Sequence, residues 1–249
     1  MSESDGNTRL ALVTGANRGL GLETSRQLAS RGVTVLLTAR ASERAAEAAA
    51  VLASEGLPVL WQQLDVTDAD SIAAARRYVE RTFGRLDILI NNAGVSQMGS
   101  RCRASAIPLD IVRSTFEVNV FGLMAVTNAM MPLLARSSAG RIVNVSSVMG
   151  SMTLALDPTF GFWRAPDDLV AAYSASKAAV TALTLQYATE LRDTHIKVNA
   201  VCPGYTATDM TGRQGRPVPE GARIITEMAL IPDTGPTGAY VNDRGPIPW

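Results

Sequence analysis

Short apolar runs alternate along this chain with longer stretches in which apolar residues return every three or four positions. The runs cover residues 10–14, 33–38, 58–62, 86–91, 141–146 and 196–202. Unbroken apolar runs of this length predict strands buried on both faces, as in a parallel sheet sandwiched between helices. The intervening stretches, 21–31, 43–55, 70–83, 109–136 and 173–192, carry the helical period. Strict alternation of the two implies right-handed strand–helix–strand units. The expected architecture is therefore a single-domain α/β fold over residues 1–249: a doubly wound, Rossmann-type parallel sheet with helices on both faces. Helices 109–136 and 173–192 are apolar or small around most of their circumference. One face of each would cover the sheet, and a second copy of the chain would cover the other, predicting a homo-oligomer, dimer or tetramer. Burial under loops of the same chain, leaving a monomer, is the alternative.

Composition narrows the class. Hydrophobic residues make up 47% of the 249 positions, which suits a large packed core rather than a disordered chain. No apolar run reaches the ~20 residues that span a bilayer, so no membrane association is expected. Residues 1–8 are polar, lack a signal-peptide hydrophobic stretch and read as a flexible tail, and a cytoplasmic location is expected. Lys+Arg and Asp+Glu each number 23, giving zero formal net charge and arguing against a nucleic-acid surface. Cys102 and Cys202 stand far apart without a partner motif and are expected to stay reduced. His195 is the only histidine. A histidine-based zinc site or catalytic triad is thereby disfavoured, no metal is expected, and His195 reads as a surface residue in a turn.

Two local patterns carry chemistry. Tyr173 and Lys177, in Tyr173-Ser174-Ala175-Ser176-Lys177, share a helical face by their i, i+4 spacing. A free phenol titrates at ~10 and is a poor acid or base near neutrality, and an adjacent ammonium is expected to lower that value. The second pattern is Thr14-Gly15-Ala16-Asn17-Arg18-Gly19-Leu20-Gly21, which follows the first strand and opens a helix. Glycines there allow a tight turn and let backbone N–H groups approach a pyrophosphate at the positive helix end.

Taken together, the Gly-x-x-x-Gly-x-Gly spacing and Tyr173-x-x-x-Lys177 resemble the short-chain dehydrogenase/reductase family, and the resemblance runs over nearly the whole chain. Asp65-Val66 looks like its adenine-contacting pair. Asn91-Asn92-Ala93-Gly94 looks like its sheet-stabilising, cofactor-contacting turn, and Asn144-Val145-Ser146-Ser147 ends the fifth strand as in the family. Pro203-Gly204 matches the segment beside the nicotinamide. The implied cofactor contacts are Gly15, Asn17, Arg18, Gly19, Leu20, Gly21, Arg40, Asp65, Val66, Asn92, Ala93, Gly94, Tyr173, Lys177, Pro203, Gly204, Thr206 and Thr208. The second strand ends in Ala39-Arg40, without the acidic residue that holds a free ribose 2′-OH, so Arg40 and Arg18 suit a 2′-phosphate and the cofactor expected is NADPH/NADP.

The resemblance also implies a catalytic tetrad for hydride transfer between nicotinamide and a carbonyl carbon. Tyr173 would protonate the carbonyl oxygen and Ser147 would hydrogen-bond it. Lys177 would tune Tyr173 and hold the nicotinamide ribose, and Asn119 would hold a water linking Lys177 to solvent. Ser147 is preferred to Ser146 by the family register and by alternation along the strand. Residues 151–171 form an insertion containing Phe160, Phe162 and Trp163, either a wall of an apolar substrate pocket or a brace for the loop. Residues 205–223 fall where the family keeps a mobile lid. Met149 and Tyr205, with Ser147, are the expected substrate contacts, and Met98 and Met210 are further pocket candidates.

The insertion and the ending 235–241 resemble the family's NADPH-dependent carbonyl reductases, so the expected partner is a small carbonyl or alcohol. A 3-oxoacyl or polyketide ketoreductase acting on a carrier-bound substrate is the alternative. A nicotinamide-sensing protein without turnover is a further one, disfavoured because the whole tetrad is present.

Overall fold

A computed structural model describes residues 8–57, 59–97, 102–160 and 170–249. The central sheet has eight strands in the order β3-β2-β1-β4-β5-β6-β7-β8. They are β1 (Leu10–Val13), β2 (Thr34–Ala39), β3 (Val59–Gln63), β4 (Ile88–Asn91), β5 (Arg141–Val145), β6 (Lys197–Val201), β7 (Tyr240–Asn242) and β8 (Gly245–Pro246). All neighbours pair in parallel except β7 and β8. The helices are α1 (Gly19–Ala29), α2 (Ser42–Ser54), α3 (Ala69–Phe83), α4 (Leu109–Phe116), α5 (Leu123–Leu134), α6 (Met152–Leu156), α7 (Ala171–Glu190) and α8 (Val218–Ala229).

Two cores flank the sheet, and alternation along each strand sorts residues between them. Ala11 and Val13 of β1 join Leu28, Leu52 and Ile225 from α1, α2 and α8. Leu10 and Leu12 point the other way, to Ile72, Met130 and Tyr187 of α3, α5 and α7. The inner strands β1, β2, β4, β5 and β6 are buried along nearly their whole length and are mostly apolar, which is the pattern read above, whereas the edge strand β3 exposes Leu60 and Trp61.

The six predicted strands are present. The sequence reading missed β7 and β8, which are two or three residues long, and missed α6 and α8. The start of α8, Val218-Pro219-Glu220-Gly221, reads as loop, yet the buried Ile224, Ile225, Met228 and Ala229 recur with the period of a helix face. The expected lid thus ends where α8 begins. The helix expected over 109–136 is helical over Leu109–Leu134, but a π-helical segment, Glu117–Gly122, divides α4 from α5. That stretch contains no unbroken apolar run of ~20 residues, yet as a helix it is long and apolar enough on average to cross a membrane. Half of its most apolar window is buried inside the molecule, as in a core helix. His195 is exposed before β6. Residues 1–7 of the expected tail, together with Met98, Phe162 and Trp163, lie outside the described residues.

The chain runs outward from β1 to β3 and then returns to β4 on the other side of β1. The carboxyl ends of β1 and β4 therefore flank the point where the strand order reverses, the place where an open α/β sheet leaves a crevice for a ligand.

Candidate active site

The glycine loop turns off the end of β1 against the segment after β4. Gly15 has φ +61°, and a Cβ there would come within 2.9 Å of the Ala93 Cα. At Gly21 a Cβ would meet the Asn92 Nδ2 at 2.5 Å and the Gly15 carbonyl at 2.7 Å. Only glycine fits the two positions, so the loop is drawn tight and its backbone is laid bare. The amide of Asn92 donates to the Thr14 and Gly15 carbonyls at 2.9 and 3.1 Å. Thr14 Oγ1 accepts the N–H groups of Asn92 and Ala93, both at 3.0 Å. No side chain caps α1 at Arg18, which leaves the first N–H groups of that helix for a ligand. An uncapped helix end above a cradle that a single Cβ would fill fits a dinucleotide pyrophosphate.

The other expected cofactor residues divide into those that face this cleft and those that support it. Arg40 is exposed at the end of β2. Arg18 pairs with Asp209 at 2.5 Å, and its side chain is 72% exposed. Asp65 accepts from the backbone and hydroxyl of Thr67 at 2.9 and 2.8 Å. Val66 is buried, and a Cβ at Gly122 would meet it at 2.8 Å, so it packs on the π-helical segment. Leu20 packs against the core that contains α8. Thr208 approaches the glycine loop, since a Cβ at Gly19 would lie 3.4 Å from its methyl. Thr206 departs from expectation: it is buried, and its hydroxyl is engaged by the Pro203 and Gly204 carbonyls, both at 3.1 Å. That hydroxyl shapes the turn after β6 rather than facing the cleft.

The tetrad residues converge beside this cradle. Ser147 follows β5 with extended backbone, and its Oγ accepts the Met149 N–H at 3.2 Å and lies near enough to Tyr173 to act on its phenol. Ser146 turns inward, donating to the Lys177 carbonyl at 3.1 Å. Alternation at the strand end therefore leaves Ser147 facing Tyr173. Lys177 is buried, its Nζ donates to the Val145 carbonyl at 2.7 Å, and it lies 5.6 Å from the centroid of the Tyr173 ring. Asn119 lies in the π-helical segment, whose extra residue per turn re-aims side chains. It is 1% exposed, with Oδ1 accepting from Val95 N at 2.8 Å and Nδ2 donating to the Val95 carbonyl and Ser176 Oγ, both at 2.9 Å. A side chain at Gly94 would stand between Asn119 and Lys177, 3.4 Å from Oδ1 and 3.5 Å from Nζ. Glycine keeps that space open.

The electrostatics correct one expectation. The Tyr173 phenol is pushed up to about 12, by burial first and by the neighbouring Cys202 second; only the nearby Ser147 hydroxyl works against them. Lys177 answers to the same burial and falls to about 8. The low-dielectric pocket thus outweighs the expected depression of the phenol by the ammonium.

Cys202 has a structural part that the sequence did not disclose. Its buried Sγ accepts the N–H groups of Val148 and Gly204, at 3.2 and 3.4 Å, and so links the turn after β5 to the turn after β6. Arg216 is a second such residue: its guanidinium donates to the Pro203 carbonyl and pairs with Asp243. Nothing local to either residue signals these contacts.

On the substrate side, Met149 is half-buried and Tyr205 is 55% exposed, its hydroxyl 3.3 Å from Gln214. Met210 is half-buried. Residues 205–216 form a closed loop, stitched by Ala207 N–H to the Arg216 carbonyl at 2.9 Å and Arg216 N–H to the Tyr205 carbonyl at 3.0 Å. Within the insertion, α6 is fully described and Phe160 is half-buried.

Known proteins resemble this chain in sequence and fold. The family model for short chain dehydrogenase matches residues 9–218. The (+)-neomenthol dehydrogenase of Capsicum annuum is 32% identical, over 96% of this chain and 97% of its own. Carbonyl reductase [NADPH] 1 of Bos taurus is also 32% identical, over 96% of this chain and 98% of its own. Among solved structures, the NADPH-bound carbonyl reductase from chicken fatty liver superposes with a TM-score of 0.83 at 27% identity, covering 97% of this chain and 99% of that one.

Proposed function

The chain belongs to the short-chain dehydrogenase family, and on that footing we propose that it is an NADPH-dependent carbonyl reductase. It reduces ketones or aldehydes of moderate size, or oxidises the matching alcohols in reverse. The observation that carries the reading is the convergence of Ser147 and Tyr173 beside the buried Lys177, next to the glycine cradle. Bound cofactor supplies the hydride.

The chain's own residues do the rest. The α1 N-terminus and the glycine loop hold the pyrophosphate, Asp65 and Val66 border the adenine, and Asn92, Ala93, Gly94, Pro203, Gly204 and Thr208 line the remaining cleft. Arg40 and Arg18 hold the 2′-phosphate. The exposure of Arg18 supports this, because a surface ion pair with Asp209 is worth ~1 kcal/mol or less and yields to a dianion. As charge grows on the substrate oxygen, Tyr173 gives that oxygen its proton and Ser147 donates a hydrogen bond to it. A phenol pushed up to about 12 keeps its proton at neutral pH, as a donor must. The Lys177 ammonium steadies the phenolate left behind, and a water over Gly94, held by Asn119, returns the proton from solvent. Met149 and Tyr205 border the substrate. Leu109, Phe121 and Leu185, exposed on α4, the π-helical segment and α7, support a homo-oligomer, and we place the enzyme in the cytoplasm.

The test is consumption of NADPH and NADH against a panel of ketones, aldehydes and 3-oxo esters, with Tyr173→Phe alongside. Turnover with NADPH on simple carbonyls is expected, with Tyr173→Phe slower by at least ~10²-fold and still binding NADPH. Near-normal turnover in that variant overturns the mechanism. Confirmed NADPH binding without turnover on any simple carbonyl points instead to a carrier-bound substrate.

A further inference from the structure

One buried hydroxyl beside the tetrad has no part in the chemistry above. Tyr240, in β7, is 2% exposed, and its hydroxyl donates to the backbone carbonyl of Ser147. The sheet register explains the reach: Tyr240 pairs with Ala200 of β6, and Ala200 pairs with Asn144 of β5, just short of the strand end. The Tyr240 ring lies 5.4 Å from that of Trp249, centroid to centroid. The Trp249 carbonyl accepts from the N–H and hydroxyl of Thr153 at 3.0 and 2.5 Å, and the Pro248 carbonyl accepts from Ser151 Oγ at 2.6 Å. Residues 240–249 therefore grip the turn that begins at Ser147 from end to end.

We propose that Tyr240 is a positioning residue for Ser147: it fixes the peptide after Ser147 so that the serine hydroxyl stays aimed at Tyr173 and at the substrate oxygen. The proposal rests on the reading of Ser147 given above. The carbonyl of that peptide is held by Tyr240 and by Gly150 N–H at 2.8 Å, and its N–H, on Val148, is held among the described residues by the Cys202 sulfur alone, at 3.2 Å. Sulfur is a weak acceptor, and the Gly150 bond lies inside the turn itself and moves with it. Tyr240 is thus the strong anchor from outside. A phenylalanine would fill the same volume and keep the contact with Trp249; only the hydroxyl reaches the serine. Burial holds the Tyr240 phenol well above its ordinary value, so it donates throughout the range in which the enzyme would work.

The experiment is Tyr240→Phe, made alone and in a Ser147→Ala background. Alone, it is expected to lower kcat about tenfold through misaiming of Ser147, with the Kd for NADPH unchanged. In the cofactor-free protein, amide hydrogen exchange should quicken in residues 147–154 and stay as it was elsewhere. In the Ser147→Ala background, adding Tyr240→Phe should leave the residual rate where it was, because two residues acting through one hydroxyl are not additive. An equal loss in both backgrounds, or an unchanged kcat in the single variant, overturns the proposal. Full activity of Ser147→Ala alone would instead remove Ser147 from the mechanism, a separate failure. Should Tyr240→Phe not fold, Trp249→Ala loosens the same ring and leaves its hydroxyl. A fall in kcat that vanishes in the Ser147→Ala background then supports the proposal, and one that persists there sinks it.

Discussion

A lysine and a tyrosine one helical turn apart face opposite consequences of the same burial. Desolvation disfavours the charged form of each, lowering Lys177 to about 8 and raising Tyr173 to about 12. Both shifts are stability statements for the cofactor-free protein. Between about 8 and the ordinary lysine value of 10.5, the unfolded chain binds the Lys177 proton and the native state has released it. Stability therefore rises with pH across that window. Between the ordinary tyrosine value of 10.0 and about 12, the native state keeps the Tyr173 proton that the unfolded chain has lost, so stability falls. Denaturant midpoints taken through these windows should show the rise, and Lys177→Met should flatten it; a rise that survives the substitution would assign it to another group. Arg40→Asp belongs to the same scale. It is expected to weaken NADPH at least ~10-fold and leave NADH unchanged or tighter, since an acid replaces the cation at the 2′ position. Titration of both cofactors checks it, and an unaltered preference would take Arg40 out of the phosphate site.

Where elements meet, close approach of backbones sets the geometry of the site. The turn after β5 crosses α7 at Gly150, where a Cβ would lie 2.6 Å from both the carbonyl carbon and the oxygen of Lys177. Neither side can yield without moving the helix that carries Tyr173 and Lys177. Gly150→Ala should therefore destabilise by ~1–3 kcal/mol and slow turnover more than it weakens cofactor binding, measured by thermal unfolding and by NADPH titration. The π-helical segment works in the same register. Nothing in the composition of residues 117–122 marks the wide turn, yet it is where the buried Asn119 meets Val95 and Ser176. The reading of one regular helix there was right in extent and silent on this detail. By contrast α8 was legible and passed over, because the prolines and glycine of its first turn outweighed the apolar period that follows.

For the whole molecule, the exposed Leu109, Phe121 and Leu185 bear on assembly. Sedimentation is expected to show a dimer or tetramer, and Phe121→Glu with Leu185→Glu should shift it to monomer; a wild-type monomer at assay concentration would set the proposed assembly aside. The eight-stranded order, β3-β2-β1-β4-β5-β6-β7-β8, is also what separates the knowable from the hidden in this chain. Apolar runs, helical periods, the glycine cradle and the Tyr173–Lys177 spacing are set by residues a few positions apart, so they can be read along the chain. Partners brought together by the sheet cannot. Arg18 meets Asp209 across 191 positions, Val148 meets Cys202 across 54, and Tyr240 meets Ser147 across 93. The upward shift of Tyr173 depends first on its burial in the folded molecule and second on Cys202. Burial and long-range pairing are properties of the folded volume, and local pattern contains neither, which is why the one-dimensional reading named candidate residues and the three-dimensional arrangement decided the direction in which their environment shifts them.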